Sequence, residues 1–439
     1  MQGNRLKVDY HLQESVLFGY FGFAKNQIQP MRKNSHFSGQ PLYGQVIKLL
    51  DKSKVLQFSR ENEGERYTKR FNCWIHLVVM LYAVIMRFDS LREITASLLA
   101  ETRKLSHLGI SFKIGRSTLA DANKRRSEAI FEAIYRDLYA TYRHVLSSDS
   151  RSRKTPKWMK RLQIIDSTTI TLFSNLLFKG VGRQPKTGRK KGGIKVHTVI
   201  HANEGVPSDI KFTSAATNDS FMLKPSTLSK GDIMAMDRAY IDYEKFEQLT
   251  QRGVIYVTKM KKNLKYTILS DVMYQTPDGL MEVRIQNVEF TKQIKCGETI
   301  RHKSRIITYV DVKKRKLISL LTNDMESDPE EIVAIYRQRW EIELLFKQMK
   351  QNFPLKYFYG ESANAIKIQI WVTLIANLLL MVMRKGLTRQ WSFSGLATMV
   401  RITLMYYVDF NSLFNNPEKE WEIILSEASG APPEPSLFD

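Results

Sequence analysis

Hydrophobic positions recur along this chain with two different periods, and the changeover divides it. Up to about residue 150 the spacing is helical. FNCWIHLVVMLYAVIMRF (71–88) is a long apolar run expected as a core helix, and SLREITASLLAE (90–101) repeats at helical spacing. Gly109 and Gly115 punctuate the next stretch, and Ser117 or Thr118 is placed to cap one long amphipathic helix running toward Tyr142. SSDSRSRKTPKW (147–158) is polar, basic and proline-containing, and reads as a boundary.

Beyond it the period becomes two. RLQIIDSTTITLF (161–173), GIKVHTVIHA (193–202), SDIKFT (208–213), DIMAMDRAY (232–240) and GVIYVTKM (253–260) predict strands, with a helix around 241–251. Residues 264–323 alternate β-branched and polar side chains and predict a β-rich excursion. Helical spacing returns near Pro329, where Glu330 and Glu331 suit a helix N-terminus. IQIWVTLIANLLLMVM (368–383) is the most apolar stretch. It is short for a membrane span and carries Gln369, Thr373 and Asn377, so a buried helix is expected. The tail APPEPSLFD is expected to be disordered. No internal repeat is evident.

Composition narrows the partners. Among 439 residues, 67 Lys and Arg face 44 Asp and Glu, a formal net charge of +23. The excess is spread along the chain, which favours a folded protein with basic surfaces and a polyanionic partner, nucleic acid first and an anionic membrane surface second. Two cysteines, Cys73 and Cys296, exclude a disulfide framework and a Cys-rich zinc site. The N-terminal sequence has no apolar signal core, and a reducing cytoplasm is expected.

YRQRWEIELLFKQMK (336–350) changes the picture again. On one helix, Tyr336, Arg339, Glu343 and Lys350 fall within about 60° of one another, away from the apolar Ile342, Leu345, Phe346 and Met349. Taken alone, the stripe is either a solvated face with i,i+4 ion pairs, worth about 0.2–0.5 kcal/mol each, or part of a site. Asp166 in IIDSTTI and Asp237 in IMAMDRAY weigh on that choice. Aspartate is disfavoured in strands, and a lone buried carboxylate there costs several kcal/mol; each alone is also explained as a strand-end turn cap. If Asp166, Asp237 and Glu343 converge, they need cations. Oxygen-only donors select Mg²⁺ or Mn²⁺, and two such ions clamp the attacking and leaving oxygens of a displacement at phosphorus. Arg339 and Lys350 would then hold phosphates, Tyr336 hydrogen-bond one, and Trp340 either stack on an unpaired base or pack half-buried.

These residues resemble a known family. Tyr336, Arg339, Glu343 and Lys350 match the Y-x2-R-x3-E-x6-K signature of IS4-type insertion-sequence transposases, the order Asp166, Asp237, Glu343 resembles that family's DDE triad, and DRAY at 237–240 is similar to the text around its second aspartate. The resemblance covers about residues 155–385. It implies an α/β fold: a ribonuclease-H-like catalytic core with a β-rich insertion, here preceded by a mainly helical N-terminal domain. The expected segments are a helical DNA-binding region at 1–150, which in the family recognises terminal inverted repeats, core at 151–260, insertion at 261–325, remaining core and C-terminal helices at 326–415, and a tail at 416–439. It further implies metal-dependent cleavage and strand transfer on double-stranded DNA, a homodimer on that DNA, no membrane, and action at a bacterial nucleoid. Binding without catalysis, or nuclease action without strand transfer, stay open as alternatives.

Further basic residues are candidate DNA contacts. KGVGRQPKTGRKKGGIK (179–195) carries Arg189, Lys190, Lys191 and Lys195 among five glycines and lacks a Walker pattern, so a basic loop tracking phosphates is expected rather than ATP binding. Arg125 and Arg126, with Ser117, Thr118, Asn123 and Lys124, stand near the start of the helix running toward Tyr142, where a DNA-reading helix and an ordinary helical hairpin look alike. Arg238 and Tyr240 either reach DNA or pack; Asn218 and Asp219 either border the site or serve a turn; His197 is expected to be structural.

Overall fold

The computed structural model describes residues 40–147, 156–171, 193–215, 217–275, 282–293, 299–311 and 315–419. Two compact units are present, one made of Met1–Leu138 and Asn364–Asp439, the other of Tyr139–Ala363.

The first unit is helical. Its described N-terminal part holds α1 (Leu42–Ile47), α2 (Lys52–Glu61), α3 (Cys73–Met86), α4 (Leu91–Ala100), α5 (Thr102–Leu105), α6 (Arg116–Arg125) and most of α7 (Glu128–Leu146). The apolar run of 71–88 is α3, buried from Cys73 through Ile85. Its Asn72 side chain caps the N-terminus by accepting from Ile75 N–H. Within α3, His76 is fully buried; Asn123 Oδ1 lies 2.8 Å from its Nε2, and burial pushes its pKa down to about 3.

The expected long helix from Ser117 to Tyr142 is two helices. Gly115, not Ser117 or Thr118, occupies the N-cap of α6, and Arg126 breaks the run with extended dihedrals. The cause lies far away in sequence. Asn364 Nδ2 donates to the carbonyls of Asn123 (2.9 Å) and Arg126 (2.6 Å), while its Oδ1 accepts from Glu128 N–H (3.0 Å). One amide thus satisfies the end of α6 and the start of α7, groups a helix terminus otherwise leaves open. Arg126 is itself 6% exposed and donates to the carbonyls of Gly64 and Phe71. The DNA-contact role expected of Arg126 is therefore corrected: its guanidinium closes the 64–71 turn from inside.

The C-terminal part of this unit holds α11 (Ala363–Lys385), α12 (Phe393–Thr403) and α13 (Phe410–Asn415). By length and composition α11 could cross a membrane, but 94% of its most apolar window is buried inside the protein. Gln369, Thr373 and Asn377 are fully buried in it. Lys367 Nζ and Trp371 Nε1 each donate to Glu128 at 2.8 Å. Residues from Asn364 onward thus belong with the N-terminal helices, not with the remaining core as expected.

The second unit is built on a nine-stranded sheet: β1 (Leu162–Thr171), β2 (Gly193–His201), β3 (Pro207–Ser214), β4 (Ile233–Met236), β5 (Ile255–Lys259), β6 (Thr267–Gln275), β7 (Glu282–Gln293), β8 (Thr299–Asp311) and β9 (Lys316–Thr322), in the order β3-β2-β1-β4-β5-β9-β8-β7-β6. β1, β4 and β5 are parallel neighbours, with α8 (Tyr243–Gln251) returning the chain from β4 to β5. The remaining pairings are antiparallel. All four residues of β4 are buried, which suits a central parallel strand covered on both faces. The β-rich stretch expected as an insertion extends this sheet, because β9 pairs with β5 through Val257 and Thr322. Two further helices, α9 (Pro329–Gln338) and α10 (Trp340–Asn352), follow β9.

Asn364→Ala should destabilise the helical unit by about 1–3 kcal/mol, since it strands helix-end groups at both α6 and α7. Urea unfolding measures this; a change below about 0.5 kcal/mol would show that solvent satisfies those groups instead.

Candidate active site

Parallel register places the first two acids. Ile165 on β1 is paired with Met236, the last residue of β4. Asp166 and Asp237 are the next residue on each strand, so the two carboxylates leave neighbouring parallel strands at the same level. Asp237 then begins a tight 3-10 turn, Arg238–Tyr240, which ends the strand earlier than the expected run to Tyr240.

The third acid comes from α10, which packs on β1. The helix expected across 336–350 is broken at Arg339, where the N–H donates to the Tyr336 carbonyl three residues back at 3.1 Å. Ile342, Leu345, Phe346 and Met349 are buried as their spacing predicts. Glu343 lies on the other side of α10, with Lys350 further along. Lys350 Nζ donates to Thr168 Oγ1 at 2.7 Å, two residues beyond Asp166 and so on the same face of β1.

Arg339 joins the acids. Its Nη2 is 2.6 Å from Glu343 Oε1 and its Nη1 is 3.5 Å from Asp166 Oδ2. The Arg339 side chain is only 14% exposed, and its Nε is buried without a hydrogen-bond partner among the described residues. Burial, helped by Asp237 and Glu343, lifts the Asp166 carboxyl to about 6; Ser167 N–H, donating to Oδ1 at 2.8 Å, and Arg339 oppose that rise. Burial works against the charge on Arg339, yet Glu343, Tyr336 and Asp166 hold its pKa above the ordinary value. Asp237 and Glu343 are thus each within electrostatic reach of Asp166.

The donor set fits a hard divalent cation: three carboxylates, with a guanidinium already bridging two of them as a cation does. Among the described residues no three His, Cys, Asp or Glu side chains are drawn tightly enough to share one ion as they stand.

Other expected residues divide. Tyr336 lies half-buried under Arg339, whose guanidinium carbon is 5.7 Å from the ring centre. Trp340 is 53% exposed, which leaves a ring surface open to solvent. Arg125 is exposed, with Asp121 at a loose 3.8 Å. Arg189, Lys190 and Lys191 lie outside the described residues. Lys195, expected in the phosphate-tracking loop, instead donates to the Thr217 carbonyl (2.8 Å) and to Asp219 Oδ1 (3.1 Å). A β-strand position facing a 3-10 turn holds it inside. Tyr240 is fully buried, which settles it as packing. His197 is buried against Thr213 Oγ1 at 2.7 Å, as a structural role requires.

Sequence reasoning undervalued Asp219. Its Oδ1 accepts from Ser167 Oγ at 2.6 Å as well as from Lys195. Ser167 alternates to the sheet face opposite Asp166, so this network braces β1 from behind. A serine directly after a strand aspartate, facing an Asn-Asp turn, is a weak signal that only register makes readable.

Comparison with known proteins places the chain among transposases. The family model described as "Transposase DDE domain" matches residues 157–379. A second model, a domain of unknown function (DUF4372), matches residues 38–111. The protein y4zB of Sinorhizobium fredii, named as a transposase, is 29% identical over 266 residues, 61% of this chain and 70% of that protein. The transposase named for insertion sequence element IS5377 of Geobacillus stearothermophilus is 24% identical over 278 residues, 62% of this chain and 69% of that one. The transposase for insertion sequence element IS231F of Bacillus thuringiensis subsp. israelensis is 22% identical over 266 residues, covering 49% of this chain and 55% of that one. Among solved structures, the piggyBac transposase synaptic complex with hairpin DNA overlaps 89% of this chain and 85% of that chain at a TM-score of 0.40 and 12% identity, too loose a superposition to carry residue roles across.

Because the folded Asp166 carboxyl binds its proton more tightly than the unfolded chain, its stabilising contribution is complete below about 3.8 and is lost as pH rises through about 6. Asp166→Asn should therefore be more stable than the parent at pH 8, by on the order of 1–3 kcal/mol, and nearly equal to it at pH 4. Urea unfolding at both pH values checks this; a less stable variant at pH 8 would mean that pairing with Arg339 outweighs the cost of burial.

Proposed function

From the premise that the chain belongs to the transposase DDE domain family, we propose that it cuts and rejoins DNA at the ends of its own insertion sequence, with Asp166, Asp237 and Glu343 as the catalytic acids. The observation that carries this reading is the shared level of Asp166 and Asp237 on adjacent parallel strands, with Glu343 tied to Asp166 through Arg339. Relatives named for insertion-sequence elements support the choice of substrate.

Family membership implies a divalent metal; Mg²⁺ or Mn²⁺, as a pair of ions, suits these oxygen donors. Bound there, such ions stabilise charge on the attacking and leaving oxygens at phosphorus. The chain's own side chains do the rest. The three carboxylates hold charge at the ends of rigid elements. Lys350, steadied by Thr168, sits along the same face to take a backbone phosphate. Arg339 and Tyr336 offer further donors, and exposed Trp340 offers a ring on which an unpaired base can stack, worth about 1–3 kcal/mol.

In the helical unit, a groove lined by Arg66, Lys69, Arg70, Lys113 and Arg125 supports a second path for the DNA backbone, along terminal inverted repeats. Arg189, Lys190 and Lys191 add basic charge beside β2 in sequence. Two copies acting together would pair two DNA ends.

Asp166→Ala, Asp237→Ala and Glu343→Ala should each abolish Mg²⁺-dependent strand cleavage of terminal-repeat DNA while end binding persists. Retention of full cleavage by any one variant removes that residue from the site. For the helical unit, Arg66→Ala and Arg125→Ala should each lower the slope of log affinity against log salt by about one unit. Arg126→Ala should instead lower thermal stability, as its buried hydrogen bonds require. Fluorescence anisotropy across a salt series, with a melting curve for each variant, separates the two behaviours; unchanged slopes would take the groove off the DNA path.

A further inference from the structure

Arg339 stands apart from the other basic residues of the site. Lys350 rests on a neutral hydroxyl, whereas Arg339 is turned inward onto the acids. Its two terminal nitrogens are given to Glu343 Oε1 and Asp166 Oδ2, one to each acid. Its Nε is buried with no acceptor among the described residues, so the side chain is held by charge rather than by a complete set of hydrogen bonds. Its backbone lies at the junction of α9 and α10, where the dihedrals stay helical and its N–H donates three residues back to Tyr336.

We propose that Arg339 is the resident counter-cation of the acid cluster, and that a divalent ion loads only by displacing its guanidinium from Asp166 and Glu343. This rests on the reading of Asp166, Asp237 and Glu343 as the metal-holding site. The physical reason is competition for the same atoms. An ion held by Asp166 and Glu343 would compete for the carboxylates that Arg339 uses, and a guanidinium left alongside a divalent cation would be repelled by it. Once released, the guanidinium needs another anion, and a DNA phosphate matches its paired donors. Ion loading and phosphate capture are then linked, and linkage is reciprocal: DNA that engages Arg339 must tighten ion binding by the factor with which the ion tightens DNA binding.

The experiment reads Mn²⁺ binding by electron paramagnetic resonance on the full chain, without turnover. Without DNA, Arg339→Gln, which keeps a polar side chain but removes the charge, should bind Mn²⁺ at least tenfold more tightly than the parent, and Arg339→Ala should do the same. In the unmodified chain, a duplex ending at the cleaved terminus should tighten Mn²⁺ binding several-fold, after subtraction of ions bound by the duplex alone. Equal or weaker affinity in the charge-removing variants overturns the proposal, and so does a parent affinity that the duplex leaves unchanged. The parent measurement stands even where a variant melts too low to use. Asp166→Asn separates the two layers of inference. If it binds Mn²⁺ as the parent does, the acid site itself is wrong. If it loses Mn²⁺ while Arg339→Gln matches the parent, the site stands and only the role of Arg339 fails.

Discussion

Two carboxylates brought to about 4 Å repel by roughly 4 kcal/mol at an effective dielectric of 20, and the register of β1 with β4 sets Asp166 and Asp237 at one level on neighbouring strands, where the charge on Asp237 raises the cost of ionising Asp166. Neither residue can turn away without breaking strands whose neighbours, Ile165 and Met236, are buried in the core. Glu343 adds a third negative charge from α10. Arg339 answers it, and it does so from a helix junction whose sides are anchored by Ile335 and Ile342. The rise of Asp166 to about 6 shows that this compensation is partial, since burial still outweighs the guanidinium. A protein selected only for stability would have replaced such a cluster with packed hydrocarbon.

The rest of the second unit reads as support for that constraint. Short, fully buried β4 fixes where Asp237 emerges, and the turn over Arg238–Tyr240 stops the strand at once. Behind β1, Ser167 is tied to Asp219, and Lys195 to both Asp219 and the Thr217 carbonyl, so the strand bearing Asp166 is braced from the opposite face. On the far side of β5, the antiparallel strands β9, β8, β7 and β6 widen the same sheet, giving the three-strand parallel centre a broad hydrogen-bonded flank.

How far the sequence foretold this depends on whether the deciding contact was local. Alternation in IIDSTTI and the unbroken apolar run of α3 report burial by neighbours a few residues away, and both elements appear where their patterns put them. Asp166 and Asp237 drew attention because carboxylates in apolar strands are expensive enough to demand a reason, and Glu343 through its place on a helical stripe. The misreadings have distant causes. A single helix across 116–142 looks right until Asn364, far along the chain, caps both halves. Arg125 and Arg126 are adjacent and chemically equal in the sequence, but one side chain is in solvent and the other fills the 64–71 turn. Helical periodicity put Tyr336, Arg339, Glu343 and Lys350 on one stripe, and no such count reveals that Arg339 points into the acids.

That inward turn bears on how a strongly basic chain can carry an acidic site at all. A net charge of +23 draws a polyanion to the protein, yet an uncompensated cluster of acids would push phosphate away from the one place where chemistry needs it. With Arg339 closed on Asp166 and Glu343, the local field that an approaching backbone meets is closer to neutral, and Lys350 on the same face presents a positive charge beside it. As the structure stands, the guanidinium balances the acids; on the proposal above, the same group turns to a phosphate once a divalent ion takes its place. A lysine in its place would present a single compact charge to two acceptors and could not span Asp166 and Glu343 with separate nitrogens, which is the physical reason for arginine at this position.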